Sequence, residues 1–199
     1  GAEFGAANPG VAGTDYEWPT SAEVTYFATR GMTVCRIPFK WERLQAVANG
    51  VLSSGYLSAL LGVVDKVRTA GMWAMIDMHN YWLYFGATLN QTAYADVWAK
   101  IAAALGTRNN MILGLMNEPN GVAASVVVSA HNAAIVGIRS AVYTGWIAAS
   151  GTAWSGAHSW ATSNASAFAS LVADTKVMID VHQYLDADGA GDSANCVVG

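Results

Sequence analysis

One unit recurs along this chain and limits what it can fold into: a helical stretch, a glycine at its end, then an unbroken apolar run. Thr20-Ser21-Ala22-Glu23 has the form of a capping box opening a helix that ends near Arg30, and Gly31 is placed to take a left-handed cap before the run Met32 to Phe39. Leu57 to Ala70 has helical periodicity, ends at Gly71 and leads into Met72 to Met78. A third helix begins at Thr92, closes near Gly106 and precedes Met111 to Met116; Ser125 to Val142 precedes Gly145 to Ser150; Asn164 to Ala173 precedes Lys176 to Val181. Apolar runs alternating with helices predict parallel strands buried on both faces. With Glu3 taken as the remnant of a first strand, strands start near residues 2, 33, 72, 111, 145 and 177, a repeat of about 35 residues. Eight such units need about 280 residues, the scale of an α/β (β/α)8 TIM barrel, and this chain of 199 carries about six. The expected organisation is a single barrel domain over 1–199 that stops before strands seven and eight. Closure pairs the last strand with the first, so the missing strands fall to a further segment or a second chain. The rival topology is an open doubly wound sheet, against which no Gly-rich phosphate loop follows any strand.

Composition excludes several partner classes. With 53% hydrophobic and 12% charged residues the chain is no disordered segment. Ten Lys and Arg against 14 acidic residues cannot neutralise a run of phosphates, so no nucleic acid is expected as partner. No window of about 18 residues is unbroken apolar sequence, and the richest, Ser125 to Val142, holds His131, Asn132 and Arg139, so no membrane is expected either. Cys35 and Cys196 make no disulfide framework, and Cys35 reads as a buried thiol. The N-terminus lacks a secretory signal and begins in mid-pattern, while Asn90-Gln91-Thr92 and Asn164-Ala165-Ser166 fit glycosylation acceptors and point toward a secreted, extracellular protein.

In parallel α/β architectures functional groups collect where strands end at their carboxyl side. Here the runs end in Arg36-Ile37-Pro38-Phe39, Asp77-Met78-His79-Asn80-Tyr81, Asn117-Glu118-Pro119, a segment leading to Trp154, and Asp180-Val181-His182-Gln183-Tyr184. Five polar endings converging on one rim define a candidate site. Glu118 is its sharpest member: one of five glutamates, it follows Met111 to Met116, where desolvation is expected to raise its pKa toward that of a general acid. Asn117 beside it can bond a substrate hydroxyl. His79 and His182, each two residues after an Asp, make an acceptable metal set, yet no His-x-His or His-x3-His pair exists; hydrogen-bonding histidines are expected, with no metal and no cofactor. Tyr81, Trp82, Tyr84, Trp154, Trp160 and Tyr184 supply aromatic faces suited to pyranose rings.

On these residues the chain resembles glycoside hydrolase family 5. Gly114-Leu115-Met116-Asn117-Glu118-Pro119 is similar to the family signature, and the supporting segments run in family order over essentially the whole length: Gly1-Ala2-Glu3-Phe4-Gly5, Arg36-Ile37-Pro38-Phe39, Trp41-Glu42-Arg43-Leu44, Asp77-Met78-His79-Asn80-Tyr81, Gly151-Thr152-Ala153-Trp154-Ser155-Gly156-Ala157 and Val181-His182-Gln183-Tyr184-Leu185-Asp186. The resemblance implies a secreted endo-β-1,4-glucanase that cuts cellulose-like β-1,4-glucan with retention. It implies Glu118 as acid/base, Arg36 and His79 as ordering groups, Asn117 as donor to the sugar 2-hydroxyl, and His182 and Tyr184 as neighbours of the nucleophile. Trp154 matches a sugar-stacking position; Asn80, Tyr81 and Tyr84 join it as substrate contacts. Cys196 matches a position that pairs with a later cysteine in relatives. The nucleophilic Glu of the family ends the seventh strand and has no counterpart in this sequence, nor do Asp180 or Asp186 match it. Retaining chemistry needs that second carboxylate about 5 Å from the acid. The expected protein is therefore a longer one near 30 kDa (about 280 residues), a monomer acting on β-1,4-glucan or cello-oligosaccharide; a non-catalytic glucan-binding remnant is the alternative.

Overall fold

The capping box at Thr20 and the glycine signals at Gly31 and Gly71 act where the pattern puts them. A computed structural model describes residues 8–187, 189 and 191. Its elements are α1 (Ser21–Thr29), β1 (Val34–Phe39), α2 (Trp41–Leu44), α3 (Ser54–Thr69), β2 (Trp73–Met78), β3 (Leu83–Tyr84), β4 (Ala87–Thr88), α4 (Gln91–Leu105), β5 (Met111–Gly114), α5 (Ala124–Ser140), β6 (Trp146–Ser150), a 3-10 turn (Ala153–Ser155), α6 (Trp160–Ser163), α7 (Ala165–Phe168) and β7 (Val177–Asp180). Thr20 and Glu23 form a reciprocal capping box at the start of α1. At its end Met32 N–H reaches Phe27 O and Gly31 N–H reaches Ala28 O, with Gly31 at φ +84°. The same pair of bonds closes α3 around Gly71 at φ +82°, so one sequence device ends two successive units. At the end of α5, Val142 takes the equivalent left-handed seat, φ +64°, which a β-branched residue adopts only at a cost.

The five longer strands form one parallel sheet in the order β1-β2-β5-β6-β7. That order rises steadily along the sequence. A doubly wound sheet reverses at a switch point, whereas a barrel wall adds each strand on the same side, so the arc is that of a TIM barrel. The strand expected at Glu3 lies outside the described residues, as does Cys196. The central strands are the most buried, and Phe39, Trp41, Leu60, Tyr94 and Trp98 fill the core between sheet and helices. No helix among the described residues is long and apolar enough to cross a membrane.

Three local expectations need correction. The helix predicted over 164–173 shortens to the single turn α7, preceded by the separate turn α6, and the buried Asn164 between them spends both ends of its amide on Thr152: its Oδ1 accepts from Thr152 N at 2.8 Å and its Nδ2 donates to Thr152 O at 3.0 Å. That burial also removes Asn164 as a glycan acceptor in the folded chain, while Asn90 caps α4 with its side chain exposed. Cys35 is only partly buried. Between β2 and α4 lies an unanticipated hairpin, β3 with β4. Its turn places Phe85 and Gly86 at positive φ, and the buried Glu42 carboxylate accepts from Phe85 N–H at 2.7 Å to hold it.

Candidate active site

Because the strands are parallel and in register, their carboxyl ends share one rim, and side chains far apart in sequence meet there. From β1, Arg36 Nη2 donates to Asn117 Oδ1 at 2.5 Å and pairs with the fully buried Asp77 at 3.0 Å. Asp77 Oδ2 also takes His79 Nδ1 at 2.7 Å, so the Asp and His two positions apart do share one side of their strand. His79 Nε2 lies 3.1 Å from the Tyr81 hydroxyl. Asp77, read from the sequence as a strand ending and as a carboxylate able to share a metal with His79, instead joins Arg36 to His79. Since a guanidinium can only donate, its contact identifies the Asn117 oxygen and leaves the Asn117 NH2 free to point elsewhere. That buried Nδ2 has no hydrogen-bond partner among the described residues, an unspent donor beside Glu118.

Glu118 stands at the end of the β5 segment with φ +46°, an unfavourable backbone for a non-glycine residue that concentrates at functional sites. Its Oε1 meets His182 Nδ1 at 2.5 Å, and its side chain is 12% exposed. The far nitrogen of His182 lies 3.8 Å from the Asp180 carboxylate at the end of β7. Asp180 and Glu118 together hold the His182 imidazole proton, raising its pKa to about 9 against the opposing cost of burial. The loop after β6 fixes this pair. Ser155 O accepts from His182 N at 2.9 Å, Ala157 N donates to His182 O at 2.8 Å, and Trp154 N donates to Pro119 O at 3.1 Å. Ala153, Trp154 and Ser155 are consecutive left-handed residues, and this turn leaves the Trp154 indole 56% exposed. Gly151 begins the loop because any Cβ there would lie 2.4 Å from the Asn164 amide.

A cavity of about 480 Å³ opens between these groups, lined by Glu118 and His182 with the rings of Tyr81, Trp154 and Tyr184, and further by His158 and Ser159, which sequence reading did not single out. Asn80 and Tyr84, expected among the sugar contacts, are placed beneath the rim instead. Asn80 is buried, accepting from Trp41 N at 2.9 Å and donating to Glu42 at 2.7 Å; the Tyr84 hydroxyl donates to Gln45 O at 2.6 Å and its ring packs on Trp41. Asn80 is drawn inward by its bonds to Trp41 N and Glu42, whereas Tyr84 follows Tyr81 and Trp82, whose positive φ breaks the strand alternation after β2. Among the described residues no three His, Cys, Asp or Glu side chains are grouped to hold a metal ion.

A rising parallel order with an Asn-Glu pair, two histidines and aromatic walls around a cavity at the strand ends defines a TIM-barrel protein. The chain belongs to glycosyl hydrolase family 5: the family's sequence model, described as Cellulase (glycosyl hydrolase family 5), matches residues 2–198. Among curated relatives it is 35% identical over 200 residues to endo-beta-1,4-glucanase B of Emericella nidulans, covering 99% of this chain and 61% of that protein. The crystal structure of the endo-beta-1,4-glucanase Xac0029 from Xanthomonas axonopodis pv. citri superposes with a TM-score of 0.95 at 38% identity, covering 98% of this chain and 66% of that one. XacCel5A, solved in complex with cellopentaose, gives 0.95 at 34% identity with the same coverage. The chain thus spans about 61% of the length of such curated relatives.

Proposed function

We propose that this protein is a secreted retaining endo-β-1,4-glucanase, acting as a monomer on internal bonds of cellulose or related β-glucans. The observation that carries the reading is the Glu118–His182 pair opening into a cavity walled by Tyr81, Trp154 and Tyr184. Glu118 delivers a proton to the glycosidic oxygen as the bond breaks and later takes one from water. Asn117, its oxygen held by Arg36, offers its free Nδ2 to the sugar 2-hydroxyl, where a bond that strengthens in the transition state accelerates the reaction. Trp154 stacks on a pyranose face. Arg36, Asp77 and His79 fix the floor, and Tyr184 flanks the reacting centre. The cellopentaose bound to a homologous enzyme supports a cello-oligosaccharide as ligand.

The retaining course needs a second carboxylate about 5 Å from the first. Asp180 faces the opposite nitrogen of His182, so the imidazole stands between it and Glu118. Asp186 Oδ2 accepts from Gly191 N at 2.8 Å. The reading assigns the nucleophile to neither, and to no residue of this sequence. The deciding experiment measures reducing-sugar release from carboxymethylcellulose by the full-length protein, alongside calorimetry with cellopentaose. Hydrolysis that disappears in Glu118→Gln while binding persists is expected. Binding without any hydrolysis by the unsubstituted protein selects the non-catalytic glucan-binding reading instead.

A further inference from the structure

Behind the rim, the segment that delivers Asn117 and Glu118 is gripped by side chains that never reach the groove. β5 ends its ladder at Gly114, and the next carbonyls, Leu115 O and Met116 O, need partners in a buried setting. Leu115 O receives the Tyr94 hydroxyl at 2.8 Å and Trp98 Nε1 at 3.1 Å, both from α4. Met116 O receives the hydroxyl of Ser150, the last residue of β6. Asn117 N–H then donates to Met78 O at 2.8 Å. Three successive residues before Glu118 are thereby anchored to α4, β6 and β2.

His131 of α5 ties two of these anchors together. Its Nε2 is 2.9 Å from Ser150 O and its Nδ1 is 3.1 Å from the Tyr94 hydroxyl, and the residue is fully buried. Burial lowers its pKa to about 4, so the ring is neutral. Ser150 O can only accept, hence the single ring proton sits on Nε2, and Nδ1 shares the Tyr94 proton with Leu115 O. Any apolar residue would fill the same seat on the α5 stripe of Val127, Val128, Ala134, Ile135 and Ile138, but it would leave Ser150 O unpaired.

We infer that Tyr94, His131 and Ser150 form a brace of positioning residues that sets where the Glu118 carboxyl stands, holding its left-handed backbone against relaxation and keeping it in contact with His182. The inference rests on the proposed role of Glu118, but its test does not depend on activity. The His182 imidazole reports the position of Glu118, and its titration can be followed by NMR in the wild type, Glu118→Gln, His131→Leu, His131→Gln and Ser150→Ala. Gln can return the donor to Ser150 O, whereas Leu cannot. The expected result is a His182 pKa in His131→Leu and Ser150→Ala displaced toward the Glu118→Gln value, with His131→Gln near wild type and circular dichroism unchanged. In the full-length protein the same two variants are expected to lose about tenfold to 100-fold in kcat with KM little changed, the scale of a small misplacement of a reacting group. Ser150→Ala leaves the core volume almost intact and carries the test if His131→Leu does not fold. Wild-type His182 titration in folded Ser150→Ala and His131→Leu overturns the brace. A shifted titration with no glucan hydrolysis by the unsubstituted protein keeps the brace and overturns the enzymatic reading.

Discussion

His131 and His182 lie on opposite sides of the same short segment, and their surroundings give one residue type two unlike states. His182 is half-buried between two carboxylates, which hold its proton up to about 9. His131 is sealed among apolar side chains and neutral down to about 4. Desolvation acts against the charge in both; only at the rim do anionic partners outweigh it. The comparison teaches that the groove side of Leu115 to Glu118 is organised by charge and open to exchange, and the rear by fixed hydrogen bonds.

The largest expected effect breaks the groove side alone. Glu118→Gln lowers kcat on carboxymethylcellulose by about 10²- to 10⁴-fold, the range of a lost general acid/base, while urea unfolding of the variant stays cooperative. Next, the two histidines give opposite pH dependences of stability, checked by urea midpoints across pH. For His131 the folded pKa lies below the unfolded value of about 6.5, so the unfolded state binds the extra proton. Stability is then lost as pH falls from about 6.5 toward 4, by up to about 3 kcal/mol, and His131→Gln flattens this limb. For His182 the folded pKa lies above the unfolded value, so its contribution is complete below about 6.5 and disappears as pH rises through about 9; His182→Gln removes that alkaline limb. A smaller change is expected at the groove wall, where Trp154→Ala weakens cellopentaose binding by calorimetry about 2- to 10-fold, the value of one aromatic stacking contact. Smallest is a control remote from both histidines: Val142→Gly relieves the left-handed strain at the end of α5 and raises stability by about 1 kcal/mol, leaving both titrations unchanged.

The barrel pattern was readable because a helix followed by an apolar strand recurs along the chain, with a side-chain cap and a left-handed glycine marking the α1 and α3 units most clearly. Where Asn164 diverts its amide to Thr152, periodicity alone still read helix. The β3–β4 hairpin was hidden because its turn uses Phe85, held by Glu42 from another element, in place of the usual Asn-Gly signal. At the rim, Arg36, His79, Asn117, Glu118 and His182 were legible since parallel strands bring their endings together. Asn80 and Tyr84 were misplaced because the partners that draw them beneath the rim, Trp41, Glu42 and Gln45, lie on or next to α2, and a strand-ending pattern does not reveal them. The rear brace was missed for a different reason: Tyr94, Trp98 and His131 occupy ordinary core positions on helices, and only the ends of β5 and β6 create the carbonyls that call for them.

The role of Glu118 as proton donor is tested most directly by leaving-group dependence in the full-length protein. A dinitrophenyl leaving group departs without a proton, whereas a sugar alcohol does not. The account predicts that Glu118→Gln keeps kcat/KM for 2,4-dinitrophenyl cellobioside within about tenfold of wild type while losing about 100-fold or more on carboxymethylcellulose. Equal losses on both substrates, or no loss on either, would contradict it.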